Sequence, residues 1–124
     1  MGTYLTLDSI SSYRVAFNLS TYVWNIVYRW KQFEKNTIGA QFVKAIDSIS
    51  ANIAEGFGRY SKKDKIRFYR MAFGSVLESI GWTEKAKLRS LVTQIEYEAI
   101  ITPLRALPKE LNQLIKFTNE KLKE

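Results

Sequence analysis

Ser48-Ile49-Ser50-Ala51-Asn52-Ile53-Ala54-Glu55-Gly56-Phe57-Gly58-Arg59 is the stretch on which the fold turns. Ile49 and Ile53 recur at helical spacing, with small Ala51 and Ala54 beside them, so the run reads as the end of an amphipathic helix. Upstream, Phe42 and Ile46 extend the same apolar side and Ala45 lets a neighbour approach, which predicts a helix over residues 39–57. Gly56 and Gly58 then suit a left-handed reversal, because glycine has no Cβ to clash there. Asn52, Glu55 and Arg59 share one side of this helix as a polar stripe.

Working outward, a first helix is expected over residues 11–31. Val15, Leu19, Tyr22, Ile26 and Arg29 or Trp30 form one stripe, and Tyr13, Phe17, Val23 or Trp24, and Val27 form another. Residues 32–37 interrupt the pattern, and Asn36 or Thr37 offers a cap for the next start. Ser61 followed by Asp64 resembles a capping box with the shorter acid and opens a third helix reaching about Leu88. Its apolar stripe is Ile66, Tyr69, Phe73, Val76, Leu77 and Ile80, flanked by Phe68, Met71, Ser75, Glu78 and Trp82. Gly74 and Gly81 each cost about 1 kcal/mol against alanine inside a helix, so they read as room for another backbone, with a kink as the alternative. Thr93 and Glu96 have capping-box spacing and start a fourth helix. Tyr97, Ile100, Ile101, Leu104, Leu107, Leu111, Leu114 and Ile115 are its buried side, with Leu122 near its end. Pro103 is expected to kink or locally break that helix, and Pro108 to begin a fresh segment.

Four amphipathic segments and three short connections predict a single all-α domain over residues 1–124. The economical architecture is an antiparallel up-down-up-down four-helix bundle with a proline-disturbed fourth helix. A three-helix arrangement with a split last helix is the competitor. The first and third helices carry more apolar surface than one seam uses, and leaving it wet would expose a large patch, which points to self-association.

The chain has 124 residues with neither cysteine nor histidine. Disulfides, thiolate chemistry and the usual neutral-pH proton shuttle are therefore excluded, and the commonest metal ligand is missing. The formal charge is +7, and its excess is concentrated. Arg59, Lys62, Lys63, Lys65, Arg67 and Arg70 face only Asp64 in their interval, and a second cluster holds Lys85, Lys87 and Arg89. Such patches attract a polyanion, nucleic acid above all, although a solvated helical surface is the plain alternative. No run approaches the roughly 20 apolar residues that span a bilayer, so no membrane partner is expected. The start lacks a basic, apolar and small-residue leader pattern, which makes the cytoplasm the expected location.

Gly56-Phe57-Gly58-Arg59 lacks the fuller pattern of a phosphate-binding loop and follows a helix, whose carbonyl end repels anions. The start of the third helix, with Lys62, Lys63 and Arg59, is the better place for a phosphate. Tyr60 there has two uses, stacking on a base or, more ordinarily, anchoring the turn. If Glu78 is buried it needs a partner, for which Arg59, Asn52 and Lys44 are candidates. Asn52, Glu55, Arg59, Ser75 and Glu78 are thus expected as a structural polar cluster. Used instead as paired acids, Glu55 and Glu78 would need a cleft and shifted protonation that nothing in the chain indicates. No catalytic, metal-binding or cofactor-binding residue is assigned, and a non-enzymatic role is expected.

The block over residues 45–59, with Ser48-Ile49 and Asn52-Ile53-Ala54-Glu55-Gly56, resembles the 23S rRNA-intervening sequence protein family. The similarity continues through Ser61, Arg67-Phe68, Ala72, Gly74-Ser75 and Glu78 at that family's spacing. It implies an up-down-up-down bundle assembled as a cyclic homo-oligomer, a homopentamer, with no settled activity. Related small proteins accessory to diversity-generating retroelements imply basic oligomers that touch nucleic acid and a reverse transcriptase. This chain departs in having Gln32-Phe33-Glu34 where the family commonly places proline, and Lys44 where arginine is frequent. Lysine keeps the charge there but loses the planar two-donor geometry. The expected function is a self-associating bundle that binds RNA or DNA through phosphate contacts. The alternative is a protein-interaction scaffold without direct nucleic-acid binding.

Overall fold

A computed structural model of the chain describes residues 5–122. After a 3-10 turn at Leu7–Ser9, four helical stretches follow: α1 (Ser11–Tyr28), α2 (Ala40–Gly58), α3 (Lys62–Leu88) and α4 (Gln94–Lys121), with no strand among the described residues. α2 is longer than its own bounds suggest. A turn of α-helix at Gln32–Glu34 and a π-helical segment at Lys35–Gly39 run into it without a break.

Each helix packs on the next in sequence, and α4 packs back on α1. Lys62 near the start of α3 reaches the Asn119 carbonyl at the end of α4, while Glu84 near the end of α3 meets Arg105 and Tyr97 on the first half of α4. These two ties make α3 and α4 antiparallel. The end of α1 likewise meets the start of α4 through Arg29 and Glu96 at 3.5 Å. Trp30, just past α1, donates its indole N–H to the Leu91 carbonyl at 3.0 Å and pins the turn between α3 and α4.

The interior divides its large and small residues between helices. α2 supplies Phe42, Ile46, Ile49 and Ile53, and α4 supplies Ile100, Leu104, Leu107 and Leu111, all fully buried. Each such side chain contributes about 1.5–3 kcal/mol of burial. α3 answers with Tyr69, Ala72, Val76, Ser79, Thr83 and Ala86, mostly small. The stripe expected on α3 is kept in part, with Tyr69 and Val76 buried and Phe73 and Ile80 packed against the core, but its centre is shifted toward smaller residues. Leu77 and Met71 are exposed, whereas Ala72, Ser79, Thr83 and Ala86 face inward. Small inward residues bring α3 close to the bulky side of α2, an arrangement that a search for large apolar residues on each helix does not find.

Three further expectations are corrected. Gln32 through Gly39 is helical rather than a loop with a new cap at Asn36 or Thr37. Those two side chains work within the helix: Thr37 Oγ1 donates to the Phe33 carbonyl at 2.7 Å, and Asn36 accepts from Gln32 at 2.9 Å. The glycines at 56 and 58 do not adopt positive φ. Gly56 is instead a contact point, where a Cβ would lie 2.8 Å from the Tyr69 ring and 2.9 Å from the Lys65 carbonyl. Left-handed backbone occurs at Ser90 (φ 58°), where Leu91 N–H bonds the Ala86 carbonyl and Ser90 N–H bonds the Lys87 carbonyl, a Schellman closure of α3. Finally, α4 is helical from Gln94 to Lys121, so it does not break at Pro103 and no fresh segment begins at Pro108; Ile100, Leu104, Leu107 and Leu111, buried on either side of the prolines, hold it against the bundle. The caps at both later helix starts form as expected. Ser61 Oγ accepts from Asp64 N–H, and Thr93 and Glu96 exchange both bonds of a capping box.

Candidate nucleic-acid interface

The basic run straddles the turn from α2 to α3, and local chemistry sorts its cations into held and free. Arg59 ends α2 in extended backbone (φ −74°, ψ 153°). Its guanidinium pairs with Glu55 at 2.9 Å and lies 4.6 Å from the centre of the Phe68 ring. Lys62 turns back to the end of α4, its ammonium 3.4 Å from the Asn119 and Leu122 carbonyls. Lys65 donates to the Phe57 carbonyl at 2.6 Å, and burial there pushes its ammonium below the usual lysine range. Both lysines satisfy carbonyls at the ends of helices, where the backbone dipole favours a cation. Lys65 is held firmly in this way, whereas the longer Lys62 contacts lie at the surface.

Lys63, Arg67 and Arg70 are different. They recur at i, i+4 and i+7, so they line one side of α3, and all three are exposed. Among the described residues Lys63 and Arg70 have no acidic partner, and Arg67 has only a marginal approach of 3.5 Å to Asp64. Arg67 also stacks 4.5 Å from the Phe68 ring, which steadies its guanidinium. The three cations cover about 10 Å of helix. Gly74, Leu77 and Gly81 continue the same side, and a Cβ at either glycine would meet nothing within 4 Å. Those glycines thus face open space in this chain rather than another of its helices.

The second cluster is remote from the first. Lys85 lies at the far end of α3, about 33 Å from Lys63 along the helix. Its ammonium sits 4.5 Å over Trp82, Lys87 sits 5.9 Å over Tyr97, and Arg89 lines a groove of about 670 Å³ with Phe33, Glu34 and Asn36. Nearby, Glu84 accepts from the Tyr97 hydroxyl at 2.8 Å, which raises that phenol's pKa. The two basic clusters therefore form separate patches at opposite ends of the bundle.

The residues expected as a polar cluster are only partly brought together. Glu55 and Arg59 pair, but Asn52 donates to the Ser48 carbonyl of its own helix at 2.8 Å. Glu78 is exposed and Ser75 half-buried on α3, and neither bonds to Asn52, Glu55 or Arg59. Glu78 stays at the surface and needs no buried partner, because Ala72, Val76 and Ser79 take the inward register. Lys44 is exposed as well. Among the described residues no set of three metal-ligating side chains converges. No helix there is long and apolar enough to cross a membrane.

An apolar face lies on α1. Phe17, Trp24 and Tyr28 are 52%, 54% and 67% exposed along one side, and Trp24 and Tyr28 border a slot of about 180 Å³ with Val27, Gly39, Ala40 and Val43.

The model of the family described as 23S rRNA-intervening sequence protein matches residues 8–113. Among solved structures, this chain is similar to the crystal structure of a protein with unknown function from the S23 ribosomal protein family, from Bacteroides thetaiotaomicron VPI-5482. The TM-score is 0.74 at 23% identity, covering 85% of this chain and 98% of that one. At that identity the likeness concerns the fold. The chain matches none of the curated proteins.

Proposed function

This chain belongs to the 23S rRNA-intervening sequence protein family, and on that footing we propose that it is a non-enzymatic, self-associating bundle that takes up RNA or DNA through phosphate contacts. The exposed cations Lys63, Arg67 and Arg70 carry this reading, because they share one side of α3 and only Arg67 has an acidic neighbour, Asp64 at 3.5 Å. Self-association is supported by the wet aromatic side of α1, where Phe17, Trp24 and Tyr28 form a patch of the kind that a second copy covers. In a closed ring, the homopentamer that the family resemblance implies, each copy repeats the three-cation site, and repeated weak sites bind a long strand tightly. The cytoplasm is the compartment proposed for this activity.

The alternative is a protein-interaction scaffold whose cations serve solubility. It is favoured by the partners that Arg59, Lys62 and Lys65 find within the chain, Glu55 and helix-end carbonyls, which compete with a ligand for half of the basic run. One experiment separates the two. Generic RNA and DNA are titrated with purified protein over a salt series while light scattering reports its mass. Phosphate capture predicts binding that weakens steeply with salt, and a Lys63→Glu, Arg67→Glu, Arg70→Glu triple variant that binds far more weakly at unchanged mass. No association at low salt refutes the proposal, and a monomer at all concentrations refutes its self-associating part.

A further inference from the structure

Tyr60 precedes the cap of α3, at the position from which an apolar side chain ordinarily packs on the fourth residue of the helix. Here that fourth residue is Lys65, whose ammonium is turned away to the Phe57 carbonyl. The staple therefore cannot form, and Tyr60 is 96% exposed. It does not anchor the turn, which is held by other bonds: Arg59 N–H to the Gly56 carbonyl, Asp64 N–H to Ser61 Oγ, and the Lys65 ammonium to the Phe57 carbonyl. A fully hydrated phenol contributes no burial to the fold, yet it stands directly before Lys63, Arg67 and Arg70.

We propose that this tip is a single-strand site, in which Tyr60 stacks on an unpaired base while Lys63, Arg67 and Arg70 hold the phosphates that follow. This rests on the nucleic-acid reading above and specifies the form of nucleic acid taken. The chemistry distinguishes the forms. A duplex offers its phosphates to the cations but keeps the faces of its bases stacked on one another, out of reach of a projecting ring. An unpaired strand offers both, and stacking on an aromatic side chain is tolerant of base identity because every base has a π-face. The exposed ring and the exposed cations lie on one continuous stretch of chain, from the turn through the first turns of α3, within the span of a few nucleotides.

The test measures the binding of a fluorescein-labelled 12-nucleotide oligoadenylate and of a mixed-sequence 12-base-pair RNA duplex at low salt. The proteins are the wild type, Tyr60→Ala, Tyr60→Trp and the Lys63→Glu, Arg67→Glu, Arg70→Glu triple variant. Removing one stacking ring is expected to weaken single-strand binding roughly 5- to 100-fold. Duplex binding should change less than about twofold, since the charges remain. Tyr60→Trp should restore single-strand binding, and the triple variant should weaken both ligands. Because Tyr60 is exposed, its replacement leaves the core untouched, and unchanged thermal unfolding verifies this. If wild type binds both ligands and Tyr60→Ala alters neither, or alters both equally, the single-strand site is refuted while phosphate capture stands. If wild type binds neither, the nucleic-acid reading itself is refuted.

Discussion

Replacing Gly56 with alanine tests whether the close approach of α2 and α3 is a packing constraint. In an isolated helix, alanine is better than glycine by about 1 kcal/mol, so propensity alone predicts stabilisation. The site predicts the reverse. A Cβ there would lie 2.8 and 2.9 Å from two carbons of the Tyr69 ring and 2.9 Å from the Lys65 carbonyl oxygen. Carbon pairs rest at about 3.5–4.0 Å, so the two helices must separate by several tenths of an ångström. Neither neighbour yields easily: Tyr69 is 2% exposed, and the carbonyl belongs to the backbone of α3. Overpacking of this kind costs about 1–3 kcal/mol. Net of propensity, Gly56→Ala should cancel that gain or destabilise by up to about 2 kcal/mol, lowering the melting temperature by as much as several degrees. Gly58 is the internal control, because a Cβ there meets nothing within 4 Å. Gly58→Ala should stabilise by about 0.5–1 kcal/mol. Urea unfolding followed by circular dichroism measures both variants. Equal stability for two alanines only two positions apart would refute the contact argument, since propensity would then explain everything.

Ser90 holds a left-handed conformation (φ 58°) at the Schellman closure of α3. Ser90→Gly should therefore stabilise by about 1 kcal/mol in the same urea assay, and Ser90→Ala should not. Tyr69 supplies a pH prediction. Burial pushes its phenol from 10.0 up to about 12. Between those values the unfolded chain has lost a proton that the folded chain keeps, so stability is whole below pH 10 and falls as pH rises toward 12. At about 1.4 kcal/mol per unit, the loss reaches up to about 3 kcal/mol. Tyr69→Phe should flatten that alkaline decline in a series of unfolding curves. An unchanged slope would show that Tyr69 titrates alike in both states.

The helical order is legible because long periodic segments and side-chain caps are local signals. Thr93 and Glu96, three apart, announce the start of α4, and the two bonds that spacing predicts both form. What is not legible depends on neighbours distant in sequence. Large residues mark α3 as apolar on the side of Leu77, yet its inward register is set by the bulk that α2 brings, so Ala72, Ser79 and Ala86 go in and Leu77 stays out. Gly56 looks like a turn residue until Tyr69 is placed against it. In the basic run, charge is plain from composition but its availability is not. Lys62 and Lys65 read the same as Lys63, and only the positions of the Asn119, Leu122 and Phe57 carbonyls separate them. For Lys65 a hint existed in the short distance back to a helix end, whose bare carbonyls attract cations.

The π-helical turn at Lys35–Gly39 sits between the first connection and the Phe42–Ile46–Ile49–Ile53 side of α2. Within an α-helix, losing one residue rotates everything beyond it by about 100°. A wider turn already holds a surplus residue, so a one-residue deletion there can relax to ordinary winding and leave the isoleucines where they are. The segment is thus a place where chain length can drift through descent without disturbing the interior. Relatives of this chain should show their length differences in this turn leading into α2, ahead of Ala40, and not among the isoleucines that follow.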